Sequence, residues 1–129
     1  MTRTVLVIES EPWLGDQYQR SLEKNDFEVI RATNAYAAID MIDETPPAAI
    51  VMSLLLSGTG GLGLLHELQT YIDTATIPVI VCSSLPNLQL DDLEPYGVKR
   101  ILDSTSMQPD DIAASVRSVL YQLQDKSAA

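Results

Sequence analysis

Val5-Leu6-Val7-Ile8-Glu9-Ser10-Glu11-Pro12 decides how the rest of the chain is read. Its run of Val, Leu, Val and Ile makes a short strand covered on both faces. A polar step follows, and Pro12 suits the first turn of a helix. The same passage recurs down the chain. Ile50-Val51-Met52 meets Ser53, Val79-Ile80-Val81-Cys82 meets Ser83-Ser84, and residues 98–102 meet Asp103-Ser104. In a parallel α/β sheet these positions share the carboxyl edge, where such folds place their chemistry. That edge is rich in hydroxyls and poor in charge.

Between the strands lie helix-period segments. Residues 12–24 set Leu14, Tyr18 and Leu22 on one face, and Ala35, Ala38, Ile39 and Ile42 repeat the pattern. Leu62, Leu65, Leu68 and Ile72 predict a third helix. Ile112, Val116, Val119, Leu120 and Leu123 predict a last one, opened by Pro109-Asp110-Asp111 with acids favourable at a helix N-terminus. Pro86 and Pro95 bracket a short helix within 87–96, which Gly97 ends. The mixed stretches 27–31 and 98–102 suit the two edges of the sheet. Five βα units with right-handed crossovers predict an α/β, flavodoxin-like three-layer sandwich with parallel strand order 2-1-3-4-5. Residues 1–124 are read as one domain and 125–129 as a short tail.

The chain has 129 residues, 46% of them hydrophobic, with no apolar stretch long enough to cross a membrane. No signal-peptide pattern opens it, and its single cysteine, Cys82, sits in an apolar run, so a cytoplasmic location is expected. A net charge of −10 with scattered basic residues argues against nucleic-acid binding. A chain ending at Ala129 is expected to carry no separate output domain.

Taken together, these segments resemble the receiver domain of bacterial two-component response regulators. The resemblance covers nearly everything from Thr4 to Leu123. Val5 to Pro12 resembles the family's first strand with its acidic pair. Residues 47–61 resemble the segment that carries the phospho-accepting aspartate and its glycine-containing loop. Ile77 to Ser84 resembles the strand ending in a hydroxyl, and Gly97 to Ser104 followed by Pro109 resembles the stretch bearing a lysine.

The departures fall on the chemistry. The resemblance places Ser53 at the phospho-acceptor position, Glu9 and Ser10 at the two metal-binding acids, and Ser104 at the lysine. Ile101 stands at the switch aromatic and Ser57 at the loop proline, while Ser83 keeps the family's hydroxyl. Phosphoryl transfer is mostly positioning and charge neutralisation. Mg²⁺ wants carboxylates and waters, and Glu9 with Glu11 nearby forms a weak donor set, so no cofactor is expected. A serine nucleophile needs an activating base, and a phosphoserine lacks the lability of an acyl phosphate. The expectation is a degenerate receiver that is not an enzyme and acts through protein contacts.

Each residue also has a structural role to weigh. Ser10 is a candidate cap for the first helix, and Ser53, Ser83 and Ser104 are candidates for a hydroxyl network at the strand ends. Glu9 is read as a solvated or hydrogen-bonded remnant, His66 as a surface residue, and Cys82 as core packing. Gly58-Thr59-Gly60-Gly61-Leu62-Gly63 matches G-x-G-x-x-G, but it lies away from the strand end and no acid closes the next strand. A nucleotide or flavin binder is therefore the remote alternative, and residual phosphoryl or small-ligand binding at Glu9 and Ser53 the nearer one. The resemblance implies an interaction face on the fourth helix, fifth strand and fifth helix. Leu90, Leu93, Tyr96, Lys99 and Arg100 would contact a protein partner or a second copy there.

Overall fold

Alternate residues of three central strands feed two separate cores, and this division organises the molecule. The computed structural model describes residues 3–55 and 60–128, with side chains as far as Leu123. The strands are β1 (Thr4–Ile8), β2 (Glu28–Ala32), β3 (Ala49–Ser53), β4 (Val79–Ser83) and β5 (Val98–Asp103). All pair in parallel, in the order β2-β1-β3-β4-β5. Leu6, Ile8, Ile50, Met52, Val79 and Val81 pack on one side of the sheet. Val5, Val7, Ala49, Val51, Ile80 and Cys82 pack on the other. Successive strand residues point to opposite faces, so a continuous apolar run supplies both layers.

The helices complete each layer. α1 (Pro12–Lys24) and α6 (Pro109–Ala128) pack together over one face, and α6 continues as helix past the boundary expected at residue 124. Tyr18, Leu22, Ile112, Val116 and Val119 are among their buried residues, as the spacing predicts. α2 (Ala35–Glu44) and α3 (Gly61–Thr70) cover the other face. The Asn34 side chain starts α2 by accepting the Ala37 N–H at 2.9 Å. Across the edge strand, Arg31 forms an ion pair with Asp16. Gly15 makes room for it, since a Cβ there would overlap the guanidinium.

The third helix departs from the expected pattern. It stops at Thr70, and a separate turn, α4 (Ile72–Ala75), follows. Leu64, Leu65 and Leu68 are buried, whereas Leu62 is exposed and Ile72 is 91% exposed. Thr74 explains the break: its buried hydroxyl donates to the Leu68 carbonyl at 2.6 Å and lies 3.2 Å from the Tyr71 carbonyl. Side-chain hydrogen bonds of this kind compete with helix continuation.

The stretch before β5 is short, as its prolines predict. α5 (Leu90–Leu93) runs into a 3-10 turn (Glu94–Tyr96), which Gly97 ends at φ +87°. Because α4 is a separate turn, the interaction face expected from resemblance corresponds to α5, β5 and α6. Leu93 there is core, not surface, and Leu90 and Tyr96 are partly buried against the same core. Lys99 is exposed, while Arg100 reaches Ser118 and Gln122 at 3.4 Å each.

Candidate functional site

Four strand ends and the turns behind them enclose a crevice of about 280 Å³ at the carboxyl edge. Glu9, Ser10 and Glu11 come from the end of β1, Ser53 and Leu55 from β3, Ser83 and Ser84 from β4, and Ser104 from β5. Leu14 and Tyr18 of α1 and Cys82 of β4 form its apolar wall. In-register pairing aligns the strand ends: Ser53 lies opposite Cys82, and Ser83 opposite Asp103. The residues singled out by sequence around this crevice are thus brought together, apart from Ile101. That residue faces Val81 in the sheet and packs half-buried against the core.

Glu9 is the residue that the fold treats most unusually. It is only 5% exposed, and its Oε2 accepts the Glu11 N–H at 3.2 Å. Burial raises its carboxyl pKa above the ordinary 4.5, although the Glu11 and Ser10 amides pull the other way. The capping residue at the start of α1 is Glu11, whose own side chain makes no cap bond. Ser10 does not cap the helix, contrary to the expectation, because the helix starts one residue later, with Glu11 in the capping position.

The serines do not form the expected hydroxyl network. Ser53 Oγ lies 3.5 Å from the Leu55 carbonyl, and Ser83 Oγ accepts the Leu85 N–H at 3.1 Å. Ser104 joins through its backbone, donating to the Ser83 carbonyl at 3.0 Å. Among the described residues, no hydrogen bond links one of these hydroxyls to another. The Ser53 and Ser83 hydroxyls are each turned to the loop that follows their own strand.

Cys82 is buried, and its thiol pKa is pushed up to about 12, first by burial and then by the Glu9 charge. Tyr18 beside it is raised by the same burial. Both are core residues that also wall the crevice, a dual position the sequence pattern missed for Tyr18. Asp103 accepts the Thr105 N–H at 2.9 Å and its hydroxyl at 2.6 Å, and these bonds lower its carboxyl pKa. His66 is exposed, with its ring 6.4 Å from that of Tyr96. Ser57, Gly58 and Thr59, the last two of them the start of the glycine pattern, lie outside the described residues.

Residues 5–93 match the family model described as the response regulator receiver domain. The chain belongs to this family. As a receiver domain of two-component signalling, it resembles the phosphate regulon transcriptional regulatory protein PhoB of Escherichia coli K12, with 27% identity over 84 residues. That stretch is 65% of this chain and 37% of PhoB. The transcriptional regulatory protein BaeR of Escherichia coli O6:H1 is 28% identical over 83 residues, 64% of this chain and 33% of BaeR. The receiver matches about a third of the length of these curated relatives.

Solved structures establish the fold independently. NtrX from Brucella abortus superposes with a TM-score of 0.87 at 21% identity, covering 99% of this chain and 29% of that one. A CheY-like receiver from Methanospirillum hungatei superposes at 0.85 with 15% identity, covering 98% and 99%. Among the described residues, no helix is long and apolar enough to cross a membrane.

Proposed function

We propose that this receiver keeps the family scaffold without its phosphoryl switch, and that it acts in the cytoplasm as a non-enzymatic protein-interaction module. The observation that carries the reading is the donor set of the crevice. Phosphoryl transfer needs an acceptor and charges that neutralise the moving phosphoryl group. The positions that would supply them present Ser53 and Ser104, with Glu9 the one buried carboxylate. Glu9 accepts the Glu11 N–H through Oε2, and among the described residues no hydrogen bond joins it to Ser53.

The residues present fit Mg²⁺ poorly. That ion favours an octahedron of carboxylates, phosphates and waters. Here it would meet one buried carboxylate already tied to backbone, the exposed Glu11, and neutral hydroxyls.

Intact-mass measurement after incubation with acetyl phosphate and Mg²⁺ tests the proposal. The expected mass is unchanged. An added mass of about 80 Da, one phosphoryl group, that disappears in Ser53→Ala would overturn it.

A further inference from the structure

Between Arg31 and Lys99 the chain holds no Lys or Arg, while Asp40, Asp43, Glu44, Glu67 and Asp73 fall inside that interval. The interval contains α2 and α3, which cover one face of the sheet, and the turn α4. The basic residues lie instead toward the two ends of the sequence, with Arg20, Lys24 and Arg117 on the helices of the other face. The fold therefore turns an uneven charge pattern in the sequence into one cation-free layer. A layer of one sign attracts a partner of the other.

A cleft of about 280 Å³ opens between α2 and α3 in this layer. Ile39, Ile42 and Leu68 give it an apolar floor, and Asp43, Glu67 and Asp73 stand exposed at its rim beside Tyr71. Among the described residues the one ion pair is that of Arg31 with Asp16, so the three rim carboxylates are uncompensated. The break in α3 shapes the cleft. Thr74 lines it while holding the Leu68 carbonyl, and the Thr74 and Ala75 N–H groups donate to the Tyr71 carbonyl at 3.2 and 2.9 Å. These bonds fix the turn that presents Ile72, almost wholly exposed, next to the half-exposed Tyr71. Each helix runs back from the carboxyl edge of the sheet, so this cleft, near the ends of α2 and α3, lies away from Glu9 and Ser53.

An apolar floor under a carboxylate rim fits a side chain with an aliphatic stem and a cationic head. Arg fits better than Lys, because its planar guanidinium forks onto carboxylates and stacks on a tyrosine ring. The cleft falls just short of the ordinary small-molecule range, about 300–1,000 Å³, and suits one inserted side chain. A second copy brings a net charge of −10, and its Arg31 and Arg117 are held by Asp16 and Asn25. We infer that the cleft between α2 and α3 docks an Arg-bearing segment of another protein. The Arg enters among Asp43, Glu67 and Asp73, and an apolar neighbour on the same segment packs on Ile72. This rests on the protein-interaction reading above and names the chemistry of the partner.

The probe is a capped peptide of Leu and Arg. Its reference carries citrulline for Arg, which keeps the shape and loses the charge. Backbone amide chemical shifts, followed through a titration, read the binding. The Arg peptide should shift the amides of Tyr71, Ile72 and Thr74, and the citrulline peptide should not. Asp43→Asn with Glu67→Gln should weaken binding about tenfold, and Ile72→Ala about fivefold. Asp91→Asn with Asp92→Asn in α5 removes equal charge from the same cation-free interval and should leave the affinity unchanged.

Unmoved amides at Tyr71 to Thr74, or equal response to both peptides, overturn the inference. So does equal weakening by the Asp43 with Glu67 and the Asp91 with Asp92 changes, which would mean diffuse charge attraction. Shifts at Ile72 on concentrating the protein alone would assign the cleft to a second copy and equally overturn it. The acetyl phosphate experiment separates the two readings. A Ser53 adduct removes the phosphorylation-independent function, whereas a silent peptide titration without an adduct removes only this cleft.

Discussion

Gly60 and Gly61 are neighbours, yet the same substitution should give different results at the two. Gly61 opens α3 and donates its N–H to the Leu54 carbonyl at 2.9 Å, which presses the helix onto backbone just beyond Ser53. A Cβ at Gly61 would stand 2.8 Å from both Leu54 Cα and Leu54 O, and 3.0 Å from Ser53 O. These are backbone atoms at a strand end, so no rotamer change relieves the overlap. Overpacking costs about 1–3 kcal/mol, and the upper half of that range applies here. Reduced freedom of the unfolded chain returns about 0.4–1 kcal/mol. The net loss for Gly61→Ala is about 1–2.6 kcal/mol, or roughly 4–10 °C in Tm for a domain of this size.

Gly60 has φ −65° and ψ 165°, ordinary for alanine, and a Cβ there meets nothing within 4 Å. Its unfolded-state gain is offset by the poorer capping of alanine, leaving Gly60→Ala within about 0.5 kcal/mol of the parent. Urea unfolding followed by far-UV circular dichroism measures both variants. Equal stability of the two would refute the close-approach argument.

Three further outcomes follow from particular groups. Burial raises the Glu9 pKa above 4.5, so its ionised form burdens the native state. That contribution to stability is intact below pH 4.5 and is lost as pH rises through the native pKa. Glu9→Gln should therefore be more stable than the parent at neutral pH, with the advantage shrinking as pH falls toward 4.5. A difference independent of pH across paired denaturation curves would contradict this. Cys82, buried with its thiol at about 12, should resist a thiol reagent until the chain unfolds. Native labelling as fast as labelling in denaturant would show that the thiol is open. Asn34→Ala removes the cap that starts α2 and should cost about 1 kcal/mol. An unchanged urea midpoint would show that the cap contributes nothing.

Much of the fold was legible because its signals are local. Val5 to Ile8, Ile50 to Met52 and Val79 to Cys82 are short, apolar at every position and rich in Val and Ile, as a strand covered on both faces requires. Tyr18 with Leu22, and Ile112 with Val116, carry the helical period that α1 and α6 bury. Gly97 marked a helix end that needs positive φ. The third helix shows where this reading stops. Leu62 and Ile72 fit its period, but Thr74 breaks the helix and leaves Ile72 exposed.

Sequence alone determined the strand order, the shared edge of Ser53, Ser83 and Ser104, and the resemblance to receivers. Alternation and spacing encode which face a residue takes, and parallel topology then places the strand ends together. Only the tertiary structure decided how those groups are used. It turned Glu9 inward to the Glu11 amide, tied Ser53 and Ser83 to their own turns, and placed Leu93 in the core. It also left Trp13, Leu55, Leu62 and Leu85 exposed. Periodicity tells a side chain which way to point, while burial depends on what the neighbouring elements cover.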